Sequence, residues 1–192
     1  MLKKEIRILG IDDAPFDKFK DKKVLVVGTV FRGGDYLDGI LSTYVTVDGI
    51  DSTNKLIKII NSSKHKGQLQ FIMLDGIAFG GFNVVDIQKL AKKTKFPVIV
   101  IIRNYPDLLE IKKALMKLKK GKDKIKLLEK AGEIFPVKIK NKKIFIQISG
   151  LSLEKAKEIV KLTATRSLLP EPIRVAHLIA SGIVLGESRG RA

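Results

Sequence analysis

The sequence predicts an α/β fold built on one mixed sheet. Three observations predict it. Three strand-like runs come first, with no helical pattern between them. Helical and strand-like periodicities then alternate. And 45% of the 192 residues are apolar, enough to bury one core. Consecutive strands followed by alternating helix and strand give a mixed sheet with helices packed on both faces. One domain over residues 1–192 is the expectation at this length. No repeat and no proline- or serine-rich linker divides the chain.

Each element has its own signal. Glu5 to Asp12 alternates and reads as a strand, and Lys23 to Arg32 is an apolar, β-branched run. Gly33-Gly34 then marks a turn into a third strand, Tyr36 to Val47, with Gly39 as a bulge. Asp51, Ser52 and Thr53 offer N-cap chemistry ahead of a helix whose apolar face is Leu56, Ile59 and Ile60. Gln68 to Leu74 reads as a strand and Val84 to Thr94 as a helix. Pro97 to Ile102 is continuously apolar, as in a strand covered on both faces. Pro106 to Leu118 is an amphipathic helix, and Met116 to Lys130 is the lysine-dense part of the chain. Ile134 to Ile139 and Lys143 to Ile148 flank Lys140-Asn141-Lys142 and read as a small hairpin. Helices follow at Ser152 to Thr163 and at Pro172 to Leu185. The order βββαβαβ, with a C-terminal hairpin and helices, is that of ribonuclease H-like folds.

Composition narrows the function. Lys plus Arg number 37 against 20 acids, a formal charge of +17, and there is no cysteine. Disulfides, thiolate metal sites and cysteine nucleophiles are excluded. No charged-then-apolar leader opens the chain, and no apolar stretch nears the roughly 20 residues that span a membrane. A cytoplasmic protein without membrane contact is therefore expected. A strong positive field favours polyanions, nucleic acid first. The same lysine richness also fits solubility or a hot habitat.

The acids fall at element ends. Asp12 closes the first strand, Asp75 the fourth, and Asp51 precedes the first helix, with Asp48 nearby. If the first and fourth strands are parallel neighbours, Asp12 and Asp75 emerge side by side at the carboxyl edge, where open α/β sheets bind ligands. Asp12 follows the rhythm of Ile8 and Gly10, so it faces the site and Asp13 faces away, free to start the turn at Ala14-Pro15. Mg²⁺ or Mn²⁺ needs only two or three such carboxylates. The plainer reading of each Asp is a turn former or helix cap.

Other residues carry weaker signals. Gly76, Gly80 and Gly81 form a glycine-rich loop that would admit a phosphate or base, or simply turn the chain. Phe79 and Phe82 could stack a base, though core packing suits at least one. Lys120 and Lys122, within the lysine-dense run, are candidates for backbone contact, or else a solvated face. His65 reads as surface. His177 sits on an apolar helix and reads as a satisfied buried histidine.

The segments ILGIDDAPF, TVDGIDSTNKLIKII, FIMLDGIAFGGFN, PVIVIIRNYPD and LPEPIRVAHLIASGIVLGESRGRA together span nearly the whole chain. They resemble a largely archaeal family of endonuclease V-like proteins, a domain family of unknown function. More distantly the chain is similar to endonuclease V, a metal-dependent enzyme with a ribonuclease H-like fold that cleaves nucleic acid near deaminated purines. The resemblance implies that Asp12, Asp51 and Asp75 are metal ligands. It also implies that Arg103 falls near a catalytic lysine and that His177 faces the site. The Pro-Tyr-Ile-Pro wedge and the His-Pro-Arg run of endonuclease V are absent; LDGILSTYV and IAFGGFN stand there. The expectation is a divalent-metal nuclease acting on DNA or RNA without clear deaminated-base specificity. The alternatives are a non-catalytic nucleic-acid-binding protein on the same scaffold and, more weakly, a protein-interaction role.

Overall fold

The computed structural model describes residues 5–189. The chain runs β1 (Arg7–Asp13), β2 (Lys23–Arg32), β3 (Tyr36–Thr46), α1 (Ser52–Asn61), β4 (Phe71–Asp75), β5 (Ala78–Phe79) and β6 (Asn83–Val84). It continues through α2 (Ile87–Thr94), β7 (Val98–Ile102), α3 (Leu108–Met116) and α4 (Gly121–Lys130). It ends with β8 (Phe135–Ile139), β9 (Lys142–Ser149), α5 (Leu153–Thr163) and α6 (Glu171–Leu185). Seven strands form one sheet in the order β3-β2-β1-β4-β7-β9-β8. β1, β4 and β7 are parallel to one another, and every other pairing is antiparallel. This is the expected mixed sheet.

The central parallel strands are covered on both faces, which is why FIMLD and VIVII carry almost no polar residue. One face packs Leu9, Leu74 and Val100 against Leu56 and Ile60 of α1 and Leu90 of α2. The other packs Ile8, Met73 and Ile101 against Ile159 and Val160 of α5 and Ile173 of α6. Helix α6 lies directly on β1. A Cβ at Gly10 would overlap the backbone of Pro172, and the hydroxyl of Thr29 donates to the Pro172 carbonyl at 2.5 Å. Among the described residues no helix is long and apolar enough to cross a membrane.

Four details differ from the sequence reading. The β-bulge leaves Asp38 rather than Gly39 unpaired, because Val30 pairs with Gly39 and Phe31 with Leu37. Helix α2 starts at Ile87: Val84 is held in β6, and the Asp86 carboxylate caps the helix by accepting from the Lys89 N–H. The lysine-dense run is a helix, α4, entered through Lys120 in the left-handed region at φ 59°. His65 is half-buried rather than surface, because its ring packs over Gly39 at the sheet edge.

Candidate active site

The parallel register builds the site. Ile11 of β1 lies beside Leu74 of β4, so the next residues, Asp12 and Asp75, stand together at the carboxyl ends of their strands. Asp75 lies beside Ile101 of β7, and Arg103 follows two residues on. From above, α6 lowers His177 onto Asp12, with the ring Nδ1 2.9 Å from Asp12 Oδ2. Asp12, Asp13, Asp75, Arg103 and His177 line one open pocket of about 460 Å³, walled by Ala14, Pro15 and Phe16.

Asp13 corrects the sequence reading. Strand alternation points it away from the site, yet it lines the same pocket. Asp13 is the last residue of β1, and the loop after β4 folds over this strand end so that the Gly80 N–H donates to Asp13 Oδ2 at 2.5 Å. Gly80 and Gly81 adopt φ 56° and 83°, which lets this loop make the approach.

The pocket is electrostatically loaded. Burial pushes the Asp12 carboxyl up to about 7 against the lowering pull of its His177 bond, and the charges of Asp75 and Asp13 add to the rise. Burial also pushes Asp13 up, to about 6, against the pull of the Gly80 amide. The bond to Asp12 raises the imidazole of His177 above its ordinary value. The other ring nitrogen, Nε2, is buried with no hydrogen-bond partner among the described residues. Arg103 donates to Asp75 Oδ2 at 2.8 Å. Burial and neighbouring carboxylates together make negative charge costly on Asp12 and Asp13, and a cation beside them would relieve that cost.

Asp51 lies outside the lining of this pocket. It occupies the N-cap position of α1 without capping it. Its Oδ1 accepts from the Thr46 N–H at 3.1 Å and the Asn83 amide at 2.6 Å, and its Oδ2 from the Thr46 hydroxyl at 3.0 Å. Partial burial raises the carboxyl, but these bonds outweigh it and hold it below its ordinary value. The carboxylate is thereby tied to the β3–α1 connection, outside the pocket lining. Among the described residues no group of three or more His, Asp or Glu has metal-holding geometry.

The same connection is pinned from α4. Lys124 is 1% exposed, and its ammonium donates to the Asp48 carbonyl at 2.5 Å. Asp48 in turn accepts from the Phe82 N–H and donates its own N–H to Gly80, the residue that holds Asp13. This chain of contacts is not legible in sequence, where Lys124 is one lysine among many. Lys124→Met should lower stability by about 2 kcal/mol, since it removes a charged hydrogen bond and leaves the part-buried Asp48 carbonyl without its donor. Thermal melting at pH 7 should read this as a fall of roughly 4–8 °C.

The remaining candidates scatter. Phe79 is fully buried in the core and cannot stack a base; a phenylalanine beside a turn glycine carries no signal that separates the two roles. Gly76 donates its N–H to Ile101 and turns the chain out of β4 at φ 78°. Lys120 and Lys122 are exposed at the start of α4, outside the pocket lining.

Residues 4–184 match the family model described as endonuclease dU, so the chain belongs to that family. A UPF0215 protein of Methanothermobacter thermautotrophicus is 52% identical over 192 residues, covering 100% of this chain and 94% of that one. The crystal structure of a protein of unknown function from Archaeoglobus fulgidus superposes with a TM-score of 0.85 at 43% identity, covering 93% of this chain and 98% of that one. Endonuclease V from Ciona intestinalis, solved in complex with inosine-containing DNA, superposes with a TM-score of 0.63 at 18% identity. That match covers 95% of this chain and 87% of that one, a likeness of fold.

Proposed function

We propose that this member of the endonuclease dU family is a divalent-metal-dependent endonuclease that hydrolyses phosphodiesters of DNA or RNA. The observation that carries the reading is the convergence of Asp12, Asp13 and Asp75 with His177 and Arg103 at the carboxyl edge of three parallel strands. Asp12 and Asp75 would hold Mg²⁺ or Mn²⁺, with Asp13 beside them. Two carboxylates suit a hard cation that keeps several waters and takes further oxygens from a phosphate. When bound, the cation supplies an activated water and offsets charge on the phosphoryl oxygens.

The chain's own groups do the rest. Arg103, steadied by Asp75, donates its N–H groups to a phosphate oxygen. It stays charged throughout and so acts as an electrostatic clamp, not as a proton donor. The Asp12 bond at Nδ1 fixes the ring of His177, which lines the pocket and can share a proton with Asp12. Asp51 serves this machinery from outside, by tying the β3–α1 connection to Asn83.

The family's name directs the first assay to DNA containing deoxyuridine. Labelled single-stranded, duplex and branched DNA and RNA, with and without deoxyuridine or inosine, should be incubated with Mn²⁺ or with chelator. Metal-dependent cleavage is expected on at least one substrate, with Asp75→Asn at least about 100-fold slower. Salt-sensitive binding with no cleavage of any substrate would overturn the reading in favour of a non-catalytic nucleic-acid-binding protein.

A further inference from the structure

The sheet edge that carries the acids continues into a basic cleft. β9 runs antiparallel to β7, with Phe145 opposite Ile102. The first residues of β9, Lys142 and Lys143, therefore stand at the same edge as Asp75 and Arg103. They line a second cavity of about 430 Å³ with Arg103, Asn104, Ser167 and Leu168. Neighbouring strands lie about 4.8 Å apart, so β9 is about 10 Å from β4 across the sheet.

Two features separate this cleft from an ordinary lysine-rich surface. No acidic residue among the described ones lines it. On the neighbouring helices Lys112 is paired with Glu129, Lys113 with Glu110 and Lys130 with Asp86. Lys142 and Lys143 form no ion pair among the described residues. Arg103 also lines both cavities, and one of its guanidinium nitrogens donates to Asp75. A strand laid on Arg103 meets a negative pocket on one side and unneutralised positive charge on the other.

We propose that this cleft, formed by Lys142, Lys143, Asn104 and Ser167, seats the phosphodiester backbone of a nucleic-acid strand next to the phosphate engaged by Arg103. It rests on the reading of the acid pocket as the place where a phosphodiester is cut. Contacts of this kind position a strand and carry no sequence information. They answer the repulsion that three carboxyls would otherwise exert on an approaching polyanion.

The test is fluorescence anisotropy of a labelled single-stranded 20-mer in chelator, titrated over a range of salt concentrations. Lys142→Ala/Lys143→Ala should bind roughly tenfold more weakly at low salt, and its log K against log salt should be shallower by about 1.4, since each lost single-strand phosphate contact removes about 0.7. Lys92→Ala/Lys93→Ala removes the same charge at the other end of β7, near its start, and should leave the slope unchanged. Equal affinity and slope for wild type and the Lys142/Lys143 variant would overturn the cleft, as would an equal loss in both double variants. Inorganic phosphate at the same ionic strength should compete only weakly, because one ion replaces one contact of several. Full displacement at low millimolar phosphate would mean a free-phosphate site and would also overturn it. The two readings fail separately. A wild type that binds through Lys142 and Lys143 but never cuts sinks the nuclease reading alone. A wild type that cuts, with a double variant equal to it in binding and KM, sinks the cleft alone.

Discussion

Gly10→Ala should melt at least about 6 °C below wild type, or fail to accumulate as folded protein, although it adds a single methyl group to a strand. Alanine normally suits a strand better than glycine does. Here the added carbon has no room: it would overlap the Pro172 backbone where α6 crosses β1. A side chain could rotate away, but a helix backbone must move bodily. Overpacking of this kind costs about 1–3 kcal/mol, and rigid backbone puts it at the upper end, or roughly 6–12 °C at this length. The damage also reaches the pocket, because α6 carries His177 onto Asp12. Gly28→Ala is the internal control. It sits on β2 beside the same strand, but its nearest neighbour is a Leu9 methyl at 3.0 Å, the far end of a flexible side chain. It should stay within about 1 kcal/mol of wild type. Differential scanning fluorimetry of both variants decides the point. Equal melting of Gly10→Ala and wild type would mean that the contact with Gly10 does not seat α6.

The fold is legible in the sequence because its signals are local and periodic. The continuous runs FIML and VIVII announce strands covered on both faces, and three strands before the first helix leave few topologies open. Asp12 and Asp75 are legible for the same reason, since a parallel register turns strand-end acids into neighbours. Asp13 is not, because its position depends on a loop 67 residues away in sequence folding back to offer the Gly80 amide. The partners of Asp51 are equally hidden. An acid ahead of a helix looks the same in sequence whatever its carboxylate accepts from, here Thr46 and Asn83. Helix α4 is obscured by its own composition. A lysine run reads as solvated, and nothing local singles out Lys124 as the one that turns inward to Asp48.

The acid pocket should also make the metal-free protein less stable as pH rises. The carboxyls of Asp12 and Asp13 hold their protons up to about 7 and about 6 in the folded protein, against an ordinary 3.8. Between these values the folded state binds protons that the unfolded chain has released. Their contribution is complete below about 4 and is lost as pH rises through 6 to 7. His177, raised by the same bond, works in the same direction. Asp51 is lowered, so its contribution is present above its ordinary value and is lost only in acid, outside this window. Each tenfold gain in proton affinity on folding is worth about 1.4 kcal/mol. In chelator, Tm should therefore fall between pH 5 and pH 8, on the order of 5–10 °C. The net charge of +17 opposes this trend, since a rise in pH relieves general repulsion. The diagnostic quantity is thus the difference between wild type and Asp12→Asn, whose Tm should change far less over the same range. At pH 8, Mn²⁺ at 100 times its Kd should return about 2.7 kcal/mol to the wild type and little to Asp12→Asn. A wild-type Tm that tracks Asp12→Asn across the whole range would remove the case for strained carboxyls. A wild type that Mn²⁺ leaves unmoved would remove the case that the strain is there to receive a cation.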